Sequence, residues 1–479
     1  MHPPDEPLPA IRMAPIRTHG GCGTPFPMIA TVVMVAALAL VLAFSAGTRT
    51  HSSRDFFAAG GRLATPLYFL LAVGETYSIG SLLGFPGGIV AKGSTLAFWF
   101  VGYILLAFPI GFVLYPRLWQ AGARSGAATI PDLFLDHFGS AKLERGVAIL
   151  LVWILIPLGA SQFIGLRHAA AFLFPSTPAG ADIACVAAAV FVLAASGFAG
   201  LRAPARVSAL KDILVLGAIA SLAITALKAW PVHATMSVAQ TLAPHPTIRG
   251  DTFLLSTVIV QAVGFCLSPP TVAGVFAARS PEALMRAQWL MPLYMVLFPL
   301  LMMIAGFAIA HPPLAARPDA AFLATAGHLL PSWGFGLVIA GVGLSALVVL
   351  SGIALAIAAL VARNLAPQLD DARQKRWGRI VMAAYLAAAS LAACPLDALL
   401  TQLNTLFYLG MAPLLPGLIA IATGHRTSAR RAGISIAAGL ALGLALRMTD
   451  APIGGINPAL PALLLSAAVL VERRGKAHQ

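Results

Sequence analysis

Charge is what this sequence has least of: 10% of its residues are Asp, Glu, Lys or Arg, against 59% hydrophobic. A soluble domain of 479 residues cannot wet its surface with so few ions, so the chain reads as an integral membrane protein. Acidic residues are scarcer than basic ones, 17 against 31. That excess would suit nucleic acid if it lay on one soluble face. It sits instead in short clusters between apolar runs, which membrane orientation explains better. Cysteine is sparse too. Cys22, Cys185, Cys266 and Cys394 stand far apart with no CxxC pair and no His at ligand spacing, so neither a disulfide framework nor a zinc site is indicated. Long polar stretches are also missing. The largest candidate, Pro116 to Arg145, reads as a loop with a short helix, so whatever the protein does it does inside the bilayer.

What is there is a series of apolar runs of about twenty residues, the length that crosses a hydrocarbon core. They predict an all-α protein of about thirteen transmembrane helices, near Met28–Ala46, Pro66–Val90, Leu96–Tyr115, Val147–Phe174, Ile183–Leu201, Ile213–Trp230, Phe253–Ala277, Ala287–Ala310, Trp333–Val361, Ile380–Ala393, Leu399–Ala422, Ala432–Arg447 and Asn457–Val471. The first run also resembles a signal peptide, with Ala43 and Ser45 as small cleavage-site residues, although the tail before it is long and weakly basic. Arg and Lys favour alternate loops: Arg49 to Arg62, Arg117 to Arg145, Arg202 to Lys211, Arg279 and Arg286, Arg363 to Arg379, Arg426 to Arg431, and Arg473 to Lys476. These hold about 23 of the 31 basic residues, which places the N-terminus outside and the C-terminus in the cytoplasm.

The stretch Pro66 to Gly88 organises the chain. It sets Glu75 in the middle of an apolar span and then interrupts the span with Gly80, Gly84, Pro86, Gly87 and Gly88. An ionisable group at that depth usually faces a cavity or a partner, and a helix broken in this way frees backbone groups to coordinate a solute. Removing a carboxylate from water favours its protonated form, so Glu75 is the candidate to load and release a proton; the plainer alternative is a carboxyl that holds the broken helix together. Thr76, Ser78 and Ser81 flank the break and are candidate solute ligands, against the ordinary bonding of a helical hydroxyl to its own i−4 carbonyl. Gln162, Gln261 and Phe265 are further candidates to line the path, against interhelical bonding and packing. A second break is expected at Gly264 to Pro270.

Several segments resemble the sodium:solute symporter family. They are Asp55-Phe56-Phe57-Ala58-Ala59-Gly60-Gly61-Arg62, Leu83-Gly84-Phe85-Pro86-Gly87, Thr129-Ile130-Pro131-Asp132 with His137-Phe138-Gly139-Ser140, and Phe276-Ala277-Ala278-Arg279-Ser280. The resemblance implies a 5+5 inverted-repeat core of the leucine-transporter-like fold, with repeats over 66–230 and 253–422. Outside the core lie the tail 1–27, the segment 28–65 and two final helices within 423–479. It also implies alternating access around a solute site near the midplane.

In that family a sodium ion is held by two backbone carbonyls of the broken helix, here Gly74 and Tyr77, and by two hydroxyl side chains whose positions fall here on Val348 and Val349. Valine offers no oxygen to a hard cation. Ser351 lies about a turn away and leaves a displaced site open. The segments Gly74-Glu75-Thr76-Tyr77-Ser78 and Arg286-Ala287-Gln288-Trp289-Leu290-Met291-Pro292-Leu293-Tyr294 further resemble the bacterial monocarboxylate permeases of the family. That likeness implies a symporter of a bacterial inner membrane importing pyruvate, lactate or acetate. Its partners would be a small solute, a coupling cation and the bilayer, with H+ as coupling ion in place of Na+, no cofactor, no metal and no enzymatic reaction. A sodium symporter for another solute, such as an amino acid, and a transporter-like membrane sensor are the competing readings.

Overall fold

The computed structural model describes residues 52–174, 177, 179–243, 247–394, 400–449 and 453–471, with isolated positions between 29 and 43. The first expected span, Met28–Ala46, falls largely outside the described residues. Nine described helices are long and apolar enough to cross a membrane, and the pair Thr65–Thr76 and Gly80–Lys92, bent by 43°, adds a tenth. Helices Asp371–Ala393 and Ala459–Leu470 occupy two more of the expected positions.

In chain order, the entry helix α1 (Ser53–Ala58) leads to α2 (Thr65–Thr76) and α3 (Phe85–Lys92), the two halves of the interrupted span. Then come α4 (Ser94–Ser125), α5 (Ile130–Phe138), α6 (Ala141–Leu173), α7 (Gly180–Ala199) and α8 (Arg202–Lys228). After the short α9 (Thr235–Leu242), a second interrupted span runs as α10 (Ile248–Cys266) and α11 (Pro269–Ala277). It is followed by α12 (Pro281–Leu290) and α13 (Leu297–Ala310), and by a hairpin of α14 (Pro312–Ala315) and α15 (Ala321–Leu329). The chain closes with α16 (Ser332–Ala359), α17 (Asp371–Ala393), α18 (Leu400–Met411), α19 (Leu415–Thr423), α20 (Ala429–Met448) and α21 (Ala459–Leu470).

Each interruption has a local cause. In α2, Thr76 turns its hydroxyl back to the Ala72 carbonyl at 3.2 Å, and Tyr77 leaves helical geometry at φ −95°, ψ 67°. The Ser81 hydroxyl donates to the Thr76 carbonyl, standing in for the amide that the break removes. The chain resumes as a wide π-turn over Gly80–Gly84 before Pro86 opens α3. At the other interruption, Ser268 is extended and Pro269 and Pro270, which have no N–H to lose, start α11. The two spans are also pinned at their ends. Leu63, just before α2, donates its N–H to the Ala277 carbonyl at 2.8 Å and accepts from Arg279 N–H at 3.0 Å, the one isolated bridge among the described residues.

The core runs through the whole bundle, and α16 is its axis, with 83% of its apolar window buried. An aromatic wall beside the break of α2 links Tyr77 to Phe298 (5.4 Å between ring centroids), Phe298 to Phe85 (5.0 Å), Phe85 to Phe100 (5.4 Å) and Phe100 to Tyr103 (5.2 Å).

On the face of the Arg-rich loops, polar groups lock α1, α5, α6, α8 and α17 together. Asn364 Nδ2 donates to Asp132 Oδ1 at 2.6 Å and to Glu144 Oε1 at 2.8 Å, and Thr129 donates to its carbonyl oxygen at 2.9 Å. Arg202 pairs with Asp55 at 2.6 Å, and the Ser53 hydroxyl donates to Asp371 at 2.7 Å.

Several helices extend past their apolar runs, and the sixth span moves furthest, by about three turns. The sixth span was expected from Ile213, with Lys211 in the preceding loop. The helix begins at Arg202, and Lys211 and Asp212 lie inside it at 0% and 3% exposure. Two adjacent charges had ended the hydropathy run, whereas in the fold they neutralise each other inside the bundle.

Candidate functional site

The interruptions of α2 and α10–α11 face each other across a cavity that encloses about 710 Å³ of non-atom space, its open mouth included. Glu75, Thr76, Ser78 and Ser81 come from the first interruption, Phe265, Ser268 and Thr271 from the second, Ser161 and Gln162 from α6, and Asn404 and Tyr408 from α18. Apart from tyrosine, Glu75 is the one titratable group among the described lining residues, which include no Lys, Arg or His.

The carboxyl of Glu75 joins the two interruptions directly. Thr271 donates its hydroxyl to Glu75 Oε2 at 2.8 Å, and Ser268 lies 2.7 Å from the same hydroxyl. A smaller cavity, about 330 Å³ by the same measure, lies on the other side of this bond and is lined by Tyr68, Tyr115, Gln288 and Met291. Glu75, Thr76, Phe265 and Thr271 line both cavities. Tyr115 lies two residues before Arg117 and Gln288 two after Arg286, so the smaller cavity lies toward the Arg-rich face. Leu400, on the wall of the larger cavity, donates its amide to Asp319 of the α14–α15 hairpin at 3.1 Å, which puts that cavity toward the opposite face.

The residues singled out from sequence divide cleanly. Glu75, Thr76, Ser78, Ser81, Gln162 and Phe265 all line the larger cavity. Gln162 donates to the Ser161 hydroxyl at 3.0 Å, and its Oε1 has no hydrogen-bond partner among the described residues. Gln261 does not line it: its oxygen accepts from Trp99 Nε1 at 3.0 Å, an interhelical bond. Tyr77 turns away into the aromatic wall, where its hydroxyl donates to the Tyr294 carbonyl. Ser351 is committed to the Leu347 carbonyl at 2.7 Å, and Val349 is on the cavity wall while Val348 packs toward Gly74. Arg167, considered as an anion attractor, pairs with Asp182 at 2.5 Å.

Sequence reasoning missed Thr271, Ser268 and Asn404. The first two had a signal, since they flank the proline pair of the expected second break. Asn404 had none, because a single amide in an apolar run carries no position.

Comparison with known proteins agrees with this architecture. The model of the "Sodium:solute symporter family" matches residues 56–416. The "Uncharacterized symporter YhjB" of Bacillus subtilis (strain 168) is 25% identical over 470 residues, covering 90% of this chain and 94% of the relative. A "Monocarboxylate transport permease protein" of Rhizobium johnstonii (strain DSM 114642 / LMG 32736 / 3841) is 24% identical over 363 residues, 73% of each chain. Among solved structures, a Na+-coupled sialic acid symporter superposes with a TM-score of 0.75 at 14% identity, covering 93% of this chain and 97% of that one. Mhp1, a nucleobase-cation-symport-1 family transporter, gives 0.56 at 12%, with 88% and 94% covered. The fold is therefore the leucine-transporter-like one expected. A multi-pass membrane chain of this fold, with its two interrupted helices meeting at a polar cavity, belongs to the sodium:solute symporter family and is a solute symporter.

Proposed function

We propose that the protein imports a small monocarboxylate such as pyruvate, lactate or acetate together with a proton, by alternating access, across a bacterial inner membrane. The observation that carries this reading is the lone carboxyl of Glu75 in a cavity whose lining residues include no basic side chain. Two carboxylates at hydrogen-bonding distance cannot both stay ionised in a site of low dielectric. An organic anion therefore docks beside Glu75 when that carboxyl carries a proton, which then donates to the anion, and solute and proton bind as a unit. Thr76, Ser78, Ser81, Gln162 and Asn404 supply the remaining hydrogen bonds, and Phe265 covers the apolar end of the solute.

Release follows from the same geometry. Glu75 and Thr271 stand between the two cavities, so a tilt of the bundle that closes one and opens the other exposes the carboxyl to the opposite solution, where it loses its proton and repels the anion. The alternating Arg clusters support reading the smaller cavity as the cytoplasmic one, on the side proposed for the C-terminus. The monocarboxylate permease of Rhizobium supports the solute class.

Uptake of labelled pyruvate into proteoliposomes tests the reading, with a pH gradient imposed in one set and a sodium gradient in another. The pH gradient alone drives accumulation in wild type, and Glu75→Gln abolishes it while leaving the thermal unfolding temperature unchanged. Accumulation that follows only sodium, or that survives Glu75→Gln, overturns it. Competition by a cationic amino acid and not by lactate would assign Glu75 to a solute amine instead.

A further inference from the structure

Lys211 is the charge that the solute site does not use. It lies on α8, fully buried, and its Nζ is 2.6 Å from Asp212 Oδ1, itself 3% exposed. A buried ammonium is held only where the surroundings repay its lost hydration. Asp212 Oδ1 is the one anionic group paired with Lys211 Nζ among the described residues, and Asp212 Oδ2 has no hydrogen-bond partner among them. The ammonium therefore brings its charge, and N–H groups not committed to Asp212, to whatever else adjoins it.

What adjoins it is the break of α2. A Cβ on Gly74 would stand 3.5 Å from Lys211 Nζ, 3.5 Å from Val348 Cγ1 and 2.9 Å from Ser208 Oγ, so α2, α8 and α16 converge there with no room for a side chain. The backbone ladder also stops at this point. Tyr77 donates to Val73, and the next amides to bond, Ser81 and Leu82, both go to Ser78, which leaves the Gly74 carbonyl without the Ser78 N–H. The break of α2, a carboxylate and a positive charge therefore lie close together where α2, α8 and α16 converge. Of the side chains facing this junction, Val348 offers no oxygen, and the Ser208 hydroxyl donates to the Pro204 carbonyl at 2.8 Å. Glu75, the other charge on α2, turns away to Thr271.

We propose that the ammonium of Lys211 is the resident cation of this site. Tethered to α8 and balanced by Asp212, it takes the place between α2, α8 and α16 that a free monovalent cation would fill, so the carrier binds no sodium there. The inference does not depend on which solute is carried or on the role of Glu75.

Binding of labelled sodium to purified protein tests it, with no solute and no pH gradient, so that its failure and that of the transport reading are read separately. Wild type shows no saturable sodium binding, and sodium protects it from thermal unfolding no better than choline. Lys211→Thr combined with Val348→Ser, which removes the ammonium and supplies hydroxyl oxygens while keeping Asp212, binds about one sodium ion per chain and gains sodium-specific thermal protection. Lys211→Gln, which removes the charge and supplies an amide oxygen on a slightly shorter side chain, is the second variant and also gains sodium-specific protection. Saturable sodium binding by wild type overturns the proposal whether or not the variants fold, and so does folded Lys211→Thr/Val348→Ser protein that ignores sodium.

Discussion

Thr271 Oγ1 lies 2.8 Å from Glu75 Oε2, a hydrogen bond between residues 196 positions apart that joins the interruption of α2 to the start of α11. Glu75 lies in the last turn of α2 and Thr271 in the first turn of α11, so the bond ties together the helix ends that flank the two interruptions.

Removing that hydroxyl while keeping its shape isolates the bond. A hydrogen bond to a neutral carboxyl, the state in which Glu75 meets the solute on the proposed cycle, contributes about 0.5–1.5 kcal/mol. Thr271→Val is therefore expected to raise the half-saturating pyruvate concentration of pH-driven uptake several-fold, and Thr271→Ser to spare it. Initial rates across a concentration series decide the matter, and equal values for wild type and Thr271→Val would show that the bond has no part in binding.

Gly74 is required by contact. Gly74→Ala places a methyl group 2.9 Å from the Ser208 hydroxyl, which its bond to the Pro204 carbonyl holds still. Overpacking of this kind costs about 1–3 kcal/mol. Purified Gly74→Ala is expected to unfold at lower temperature, and adding Ser208→Ala to recover most of the loss. A double variant no better than the single one would locate the strain elsewhere.

On the Arg-rich face, Asn364 donates from one amide nitrogen to two carboxylates, Asp132 and Glu144. Asn364→Asp replaces that donor with a third acid and is expected to destabilise the protein by about 3–5 kcal/mol at neutral pH, the cost of an uncompensated buried charge. Asn364→Ala, which removes the shared donor but adds no charge, loses about 1–3 kcal/mol. Denaturation of the two variants side by side measures the difference, and equal stability would mean that one of the acids is already protonated.

Asp319 gives the pH dependence. It lies in the hairpin outside the spans, 7% exposed, and burial pushes its carboxyl up to about 6, offset in part by the Leu400 amide. An acid raised in the folded state adds stability at low pH that is lost as pH rises through 6. Asp319→Asn keeps the acceptor and removes the charge, so it is expected to be more stable than wild type above pH 6, with the advantage shrinking toward pH 4. Thermal unfolding across that range checks it. A constant difference between the two proteins would remove Asp319 as its source.

Much of this was legible in the sequence because hydropathy and helix breaking are local. The apolar runs located the spans, and Gly80, Gly84 and Pro86 located the break that turns Glu75 toward the cavity. Lys211 and Asp212 were not legible. Adjacent opposite charges look the same at a helix end as in a helix middle, and only the packing of α2, α8 and α16 shows that they are inside. Gln261 shows the converse limit. Its place in an apolar span was clear, but whether it met solute or Trp99 depends on the rotation of α10, which no hydropathy pattern records.

That Glu75 is the one carboxyl among the described residues of the cavity has a bioenergetic consequence on the proposed cycle. With Lys211 and Asp212 cancelling, the empty site bears one negative charge on Glu75; loaded with a proton and a monocarboxylate anion, it bears one again. On the proposed cycle both conformational strokes then carry the same charge, so the membrane voltage neither drives nor opposes net uptake. The pH difference alone sets the ceiling, at about a tenfold accumulation for each pH unit, the equivalent of about 1.4 kcal/mol.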